Sequence, residues 1–198
     1  MIGVIQYGIG NIGSVKNAFK FLKFPCVATG SISELSKCDR LILPGVGAFQ
    51  PAMEILKKIG MDVFLDKWAK EGKPILGICL GMQLLLSGSE ENGFCKGLGI
   101  IPGNVLPFQK SKRKVHMGWN KVEPVNNNFL ISSSAYAYFV HSYVCQPEDE
   151  THIIAKTEYG DSFASAIQNQ NIMGVQFHPE KSQDYGLNIL RNFANASI

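Results

Sequence analysis

A single cysteine lies where the sequence could place a nucleophile. Cys79 follows a short apolar run, residues 75–78, and precedes residues 80–86, which are predicted to begin a buried helix, with Gly77 two residues before it and Gly81 two residues after it. This is the Gly-x-nucleophile-x-Gly pattern of a sharp strand-to-helix turn, where glycines avoid collisions with neighbouring elements. The N–H groups that begin the following helix would favour the thiolate form. A buried cysteine in an ordinary turn matches this pentapeptide equally well, so its partners must distinguish the two interpretations.

A cysteine nucleophile needs a base, and His178 is the best placed of the four histidines. It follows the apolar strand predicted at residues 172–177, which in a parallel sheet would end beside Cys79. Glu180 lies two residues further on and, in an extended chain, projects to the same side as His178. Its carboxylate could then hold the imidazole in one tautomer. A capped strand end is the alternative for these residues alone, but together with Cys79 they favour a catalytic Cys-His-Glu set.

Apolar periodicity predicts the elements that would position these residues. Strands are expected at residues 2–7, 26–29, 40–43, 75–78 and 172–177, and helices at residues 14–23, 53–59, 61–70, 80–86 and 186–195. This order predicts an α/β fold with a doubly wound, mostly parallel central sheet and helices on both faces. A smaller antiparallel β extension is expected from short runs at residues 98–105, 121–124, 136–144 and 153–158, and residues 164–169 follow it, before a turn that leads to the last strand. Because no linker-like stretch intervenes, residues 1–198 are expected to form a single domain.

Two glycine-rich turns follow predicted strands. Residues 8–13 match Gly-x-Gly-x-x-Gly, but the second strand ends at Thr29 without the acidic residue that would bind a ribose, so a tight turn is favoured over a nucleotide site. Residues 44–49 follow the third strand, and their backbone N–H groups could form an oxyanion hole, although an ordinary loop explains this segment alone. Since parallel strands end at one edge of a sheet, one site could collect both turns and Cys79.

Composition limits the kind of protein. A chain of 198 residues can bury a full core, and a net charge of +3 does not indicate a nucleic-acid partner. No apolar run reaches the roughly 18 residues that a membrane helix needs. The five cysteines are odd in number, scattered and without a Cys-x-x-Cys pair, which predicts a reducing, cytoplasmic location and no structural metal. No cofactor is expected.

The motifs resemble a known family. The strings GICLGMQ (77–83) and HPE (178–180) resemble those of the class I, or triad-type, glutamine amidotransferases, which hydrolyse the side-chain amide of glutamine and pass ammonia to a synthase. Within that family, further strings are similar to those of the glutaminase subunits of imidazole glycerol phosphate synthase, from histidine biosynthesis. These are YG (7–8), GN (10–11), LPGVG (43–47), HMGWN (116–120), HSY (141–143) and HPEKS (178–182). The resemblance extends from residue 2 to residue 193.

The resemblance implies a role for each matching residue. Cys79 would attack the amide carbon, His178 would protonate the departing ammonia and then activate water, and Glu180 would orient His178. Backbone N–H groups of Leu80 and of the Val46–Gly47 turn would bind the oxyanion. The residues that would bind the substrate are Gln83, His141, Ser142 and Tyr143. The residues that would lie on the docking side for the partner are Asn11, Met117, Trp119, Tyr138 and Lys181.

The resemblance also implies a substrate and a partner. The substrate would be L-glutamine, and the partner in a heterodimer would be a (β/α)8-barrel synthase (cyclase) subunit that receives the ammonia; no nucleic acid or membrane is implied. Gln6 and Val115 stand where members often have an acidic residue and a proline, which leaves the partner's identity open. One alternative is a paralogous glutaminase that supplies a sugar amidotransferase in surface-polysaccharide biosynthesis. Another is a cysteine hydrolase of the same fold, which does not account for Gln83 or the aromatic string.

Overall fold

The structure, a computed structural model, describes residues 1–111 and 113–196. In these residues the chain forms six α-helices: α1 (Ile12–Phe21), α2 (Ile32–Leu35), α3 (Phe49–Lys58), α4 (Met61–Lys70), α5 (Leu80–Leu84) and α6 (Gln183–Asn195). The thirteen strands of the same residues are β1 (Ile2–Ile5), β2 (Cys26–Thr29), β3 (Arg40–Leu43), β4 (Ile75–Ile78), β5 (Leu86–Ser89), β6 (Cys95–Lys96), β7 (Ile101–Pro107), β8 (His116–Pro124), β9 (Ala135–His141), β10 (Tyr143–Pro147), β11 (Ile153–Tyr159), β12 (Asp161–Asn169) and β13 (Ile172–Val175).

A parallel core of five neighbouring strands, in the order β2-β1-β3-β4-β13, forms the centre of the sheet. Leu43 of β3 pairs with Gly77 of β4, and Val175 of β13 pairs with Ile78 of β4, so these three strands end side by side. Antiparallel pairing begins at β12 and continues through β10 and β7. The predicted α/β sheet with an antiparallel extension is confirmed, and the extension continues the same sheet.

Helices cover both faces of the sheet, as predicted. α1 and α6 pack on one face, where Phe19 and Phe193 are fully buried, and α3 and α4 pack on the other, around Trp68. Strand residues alternate between these two cores, because successive side chains of a strand point to opposite faces. Ile42 of β3 joins the first core and Leu43 the second. None of the helices in the described residues is long and apolar enough to cross a membrane.

The segment after Cys79 differs from the sequence-based prediction. A helix was expected over residues 80–86, but α5 ends at Leu84 and Leu86 begins β5, which pairs in parallel with β7. Residues 80–86 are apolar except for Gln83, and so short a segment has no periodicity that separates a buried helix from a buried strand. The short helix returns the chain to the sheet after little more than one turn, so the cysteine elbow is held between two strands.

The antiparallel region also differs in its strand boundaries. A single strand was expected over residues 136–144, but Ser142 separates β9 from β10. Residues 116–120, which show no core periodicity, begin β8, where His116 pairs with His141 of β9. β8 joins the sheet through β11, and its burial alternates, but His116 is buried whereas Met117 and Trp119 are exposed. The apolar residues of this segment therefore do not mark a core-facing side.

Candidate active site

Cys79 occupies a strained turn between β4 and α5. Its backbone has φ 53° and ψ −111°, a conformation that is costly for a residue with a side chain. Its N–H donates to Val175 O at 2.8 Å and so ties the elbow to β13. A Cβ at Gly81 would lie 1.8 Å from Leu43 O, and a Cβ at Gly77 would lie 2.6 Å from Gly81 O. The expectation that side chains at both glycines would collide with neighbouring elements is therefore confirmed.

His178 and Glu180 form a buried pair beside the elbow. His178 Nδ1 lies 2.8 Å from Glu180 Oε1, and the two side chains are 2% and 1% exposed. Glu180 belongs to a 3-10 turn, Pro179–Lys181, rather than to an extended segment, so the expected extended geometry is wrong although the side chains still meet. Because the carboxylate accepts the Nδ1 proton, the other ring nitrogen, Nε2, is left for chemistry. Among the described residues Nε2 has no hydrogen-bond partner.

Two opposing effects set the pKa of His178. Burial lowers this pKa, but the interactions with Cys79 and Glu180 raise it more, to about 9. An isolated imidazole has a pKa near 6.5, so the ring of His178 is protonated at neutral pH. A positive imidazolium next to a sulfur is the arrangement in which a cysteine acts as a nucleophile and a histidine as the proton donor.

The raised pKa of His178 is open to direct measurement. We expect its ring Cε1–H resonance to titrate near pH 9, because the charged form is stabilised by Glu180 and Cys79. In Glu180→Gln the negative partner is lost, so the midpoint should move to lower pH. The measurement is an NMR titration from pH 4 to 10, with His178→Gln to assign the signal. A wild-type midpoint below 7, or no shift in Glu180→Gln, would contradict the proposed pairing.

A cavity of about 260 Å³ opens at Cys79. It is close in size to the roughly 300 Å³ lower end of ligand pockets and suits a small metabolite. The cavity collects every residue predicted for the oxyanion hole and for substrate binding: Val46, Gly47, Leu80, Gln83, His141, Ser142 and Tyr143. His178 is buried and is not part of the cavity wall. The residues of the wall come from three distant segments of the chain, which the order of the strands brings to one edge of the sheet.

Glu91 is a cavity residue that the sequence analysis missed. Its Oε2 accepts a hydrogen bond from Phe49 N at 2.8 Å, and its own N–H donates to Ser89 Oγ at 3.1 Å. It is the one acidic side chain that lines the cavity in the described residues. The sequence could have pointed to Glu91 because it lies in the first polar segment after the elbow and β5. However, a pair of glutamates in a loop is ordinarily solvated, so this position alone did not indicate a binding residue.

Hydrogen bonds anchor the turn at residues 44–48 at both ends, through its first residue and through the residue that follows it. Tyr7 Oη donates to Pro44 O at 2.8 Å, and Glu91 holds Phe49 N. Between them, Gly47 has φ 96°, and neither its N–H nor that of Val46 is hydrogen-bonded to another described residue. Free N–H groups on an anchored turn beside a nucleophile are the requirement for an oxyanion hole.

Gln83 uses its amide hydrogens within the protein. Its Nε2 donates to Tyr143 O at 3.0 Å and to Gln176 Oε1 at 3.2 Å. An amide nitrogen carries two hydrogens, so Gln83 has only its oxygen left for a substrate. Gln83 can therefore contact a substrate only by accepting a hydrogen bond at its oxygen.

His141 belongs to a neutral chain of buried polar groups. Its Nδ1 lies 2.9 Å from Tyr143 O, its Nε2 lies 3.0 Å from His116 Nδ1, and Asn120 Nδ2 lies 3.2 Å from His116 Nε2. A carbonyl only accepts, so each ring donates through Nδ1 and accepts at Nε2. Burial lowers the pKa of His141 to about 3 and that of His116 to about 4. These histidines therefore hold the backbone at Tyr143 and are unsuited to act as the base.

Four of the five predicted docking residues form an exposed patch. Met117 is 66% and Trp119 48% exposed, the rings of Trp119 and Tyr138 lie 6.2 Å apart, and Lys181 Nζ lies 5.7 Å from the centre of the Tyr138 ring. Tyr138 and Lys181 also flank His178, whose N–H donates to Tyr138 O at 2.9 Å. Asn11 is exposed too, and its side chain accepts from Ser14 N at the start of α1. The patch thus adjoins the buried His178–Glu180 pair.

Comparison with known proteins gives the class of protein. A model of the glutamine amidotransferase class-I family matches residues 12–196, and the chain belongs to that family. A crystal structure of a glutamine amidotransferase superimposes with a TM-score of 0.78 at 21% identity, covering 98% of this chain and 99% of that one, and so supports the fold.

No group of three or more His, Cys, Asp or Glu side chains in the described part of the chain could hold a metal ion.

Named relatives narrow the resemblance. The chain is 46% identical to "imidazole glycerol phosphate synthase subunit HisH" of Chlorobaculum tepidum, covering 98% of this chain and 99% of the relative. It is 43% identical, over its whole length, to the chloroplastic "imidazole glycerol phosphate synthase hisHF" of Arabidopsis thaliana, of which it covers 34%. The family recognised from the motifs is therefore confirmed.

Proposed function

We propose that this chain is the glutaminase subunit of an imidazole glycerol phosphate synthase, which hydrolyses L-glutamine to glutamate and ammonia for histidine biosynthesis. One observation carries the proposal: Cys79 lies at a glycine-flanked elbow beside the buried His178–Glu180 pair and opens into a small cavity. The 46% identity to a HisH subunit supports the choice of pathway.

The first half of the reaction breaks the amide bond. The Cys79 thiolate attacks the side-chain amide carbon of glutamine, and the carbonyl electrons move to the oxygen. Backbone N–H groups of Leu80 and of the Val46–Gly47 turn bind that oxyanion; each such donor is worth about 10²–10³ in rate. His178 then transfers its Nε2 proton to the nitrogen, the C–N bond breaks, and ammonia leaves behind a γ-glutamyl thioester on Cys79.

The second half of the reaction restores the enzyme. Neutral His178 accepts a proton from a water molecule, whose oxygen attacks the thioester carbon. The second oxyanion collapses, the C–S bond breaks and Cys79 returns to the thiolate form, while the new γ-carboxyl group loses its proton to solvent and the product leaves as glutamate. Glu180 keeps the Nδ1 proton in place during both transfers, so the same nitrogen, Nε2, donates and accepts.

The cavity recognises the backbone groups of glutamine. Glu91 supplies the negative charge that an α-ammonium group needs. The Tyr143 carbonyl already accepts from His141 and Gln83, so it shapes the wall while the neighbouring backbone of His141 and Ser142 remains for the α-carboxylate. The oxygen of Gln83 offers a further acceptor in the cavity wall.

The ammonia is made for a partner subunit. The relatives are named as subunits of a synthase or as a fusion, and this chain matches the HisH subunits over nearly their whole length. We propose that the partner is a (β/α)8-barrel cyclase that docks on the patch of Met117, Trp119, Tyr138 and Lys181, together with Asn11, and receives the ammonia through the barrel. Residues 1–198 act as one glutaminase domain, and the cytoplasmic location stays a prediction.

Partner dependence gives the test of the pathway. We expect the isolated chain to have low glutaminase activity, and the matching cyclase with its own ligand to raise it roughly tenfold or more, a typical size for coupling between sites. The measurement is glutamate release with candidate synthases added one at a time, including a sugar amidotransferase. Activation only by the sugar enzyme would assign the chain to surface-polysaccharide biosynthesis. Full activity of the chain alone would contradict gating by a partner.

A further inference from the structure

Gln176 is a buried polar residue to which the mechanism above gives no role. It follows β13 directly, two residues before His178, and its side chain is completely buried. Its backbone N–H donates to Ser165 O at 2.9 Å. Because β13 pairs with β4, the end of β13 lies against the Cys79 elbow. A buried primary amide needs partners for both its oxygen and its nitrogen, and here both partners belong to the active site.

The hydrogen-bond network fixes which way this amide points. Tyr143 O can only accept, so the atom of Gln83 that faces it is the nitrogen. That same nitrogen faces Gln176 at 3.2 Å, so Gln176 must present its oxygen there. The Nε2 group of Gln176 is then left facing Cys79 Sγ at 3.8 Å. A flipped amide would place two nitrogens against each other, so the donor direction toward the sulfur is set by the network.

Besides Gln176 and the ring of His178, the sulfur faces a backbone carbonyl. Cys79 Sγ lies 3.8 Å from Val140 O, to which a thiol can donate but a thiolate cannot. A thiolate therefore gains stabilisation from N–H donors, and Gln176 Nε2 supplies one in addition to the positive ring of His178. A donor aimed at a sulfur favours its anionic form, and a fixed donor also limits where the sulfur can move.

We propose that Gln176 is a positioning residue for the nucleophile: it donates to the Cys79 sulfur, and Gln83 and the Tyr143 carbonyl lock the direction of that donor. The nucleophile is thereby linked to the wall of the substrate cavity by three consecutive polar contacts. This inference rests on the proposed function only in that Cys79 is taken as the nucleophile.

Two substitutions at residue 176 test the role. Gln176→Met keeps the side-chain length but removes the donor. Gln176→Glu keeps an oxygen for Gln83 but places a carboxylate oxygen against the sulfur. We expect Gln176→Met to slow iodoacetamide alkylation of Cys79 at pH 7 about tenfold, the size of one hydrogen bond to a charged group, and to lower kcat by a similar factor with KM nearly unchanged. Gln176→Glu should slow both at least as much.

Two further variants make the result interpretable. Gln168→Met is the matched control, because Gln168 pairs near the start of β13 and its amide contacts Asn128 and Gln170 instead. We expect it to alkylate like the wild type. Gln83→Met leaves Gln176 in place without its orienting partner and should slow alkylation about threefold, a smaller effect than loss of the donor itself. If both Gln176 variants fail to fold, the alkylation rate of Gln83→Met becomes the test of the proposal.

The proposal is overturned by one clear pattern. If Gln176→Met unfolds cooperatively and yet alkylates and turns over at wild-type rates, Gln176 only fills space, even if its melting temperature is lower. Alkylation is measured on the full chain without glutamine, so it does not depend on the substrate. A wild-type chain that alkylates normally but never releases glutamate, alone or with any synthase, would count against the proposed function and leave the alkylation result standing.

Discussion

Cys79→Ala is expected to abolish glutamine hydrolysis. The loss should approach 10⁶-fold in kcat, about the size found when other triad nucleophiles are removed, because His178 and Glu180 would have no thiolate to serve. The fold should persist, since alanine keeps the Cβ and therefore has the same backbone strain at φ 53°. The measurement is glutamate release in the presence of the activating synthase, with binding to that synthase measured in parallel.

A second buried cysteine provides the control for that experiment. Cys38 is 6% exposed and lies near Gly3, far along the sheet from the elbow. Cys38→Ala should retain wild-type glutaminase activity, with some loss of stability from the missing sulfur. Undiminished hydrolysis by Cys79→Ala would disprove the thioester mechanism, whereas loss of activity in both variants would point to a general effect of removing buried sulfur.

Gly81→Ala is expected to prevent the chain from folding normally. The added Cβ would lie 1.8 Å from Leu43 O, which belongs to the backbone of β3 and cannot rotate away as a flexible side chain can. Either the elbow or the end of β3 must shift, and we expect the free energy of unfolding to fall by about 4 kcal/mol or more, the range of the most severe substitutions. Denaturant unfolding and soluble yield measure this, and glutaminase activity should fall with the folded fraction.

Gly13→Ala is the contrasting substitution. Gly13 is in α1, has no atom within 4 Å of its added Cβ and does not have a positive φ. Alanine should therefore raise the free energy of unfolding by about 0.5–1 kcal/mol through helix propensity. If Gly81→Ala unfolded at the same denaturant concentration as the wild type, the elbow would be able to relax and the steric reason for its glycine would be wrong.

Local patterns accounted for the parallel half of the molecule. The strands that precede Cys79 and His178 could be predicted because each is a short apolar run followed by turn residues. The role of the glycines around Cys79 could be predicted because only a residue without a side chain fits such a turn. Once both strands were assigned to one parallel sheet, the proximity of Cys79 and His178 followed from the common edge where parallel strands end.

The antiparallel half was less predictable. Ser142, the break between β9 and β10, has no strong turn signal, and residues 116–120 show no periodicity although they form a strand. Their pairing depends on contacts with distant strands, such as His116 opposite His141. Strand formation of this kind is decided by neighbours on the sheet and not by the local sequence.

The sequence by itself determined the elbow, the candidate nucleophile, its candidate base and the family, because each depends on a short contiguous motif whose chemistry and backbone requirements are local. Only the tertiary structure decided which groups converge on the sulfur. It brought Glu91 to the cavity, turned the amide of Gln176 toward Cys79 and left the ring of His141 neutral. The physical reason is that hydrogen-bond direction and burial depend on atoms far apart in the chain, which meet only after the sheet has set their order.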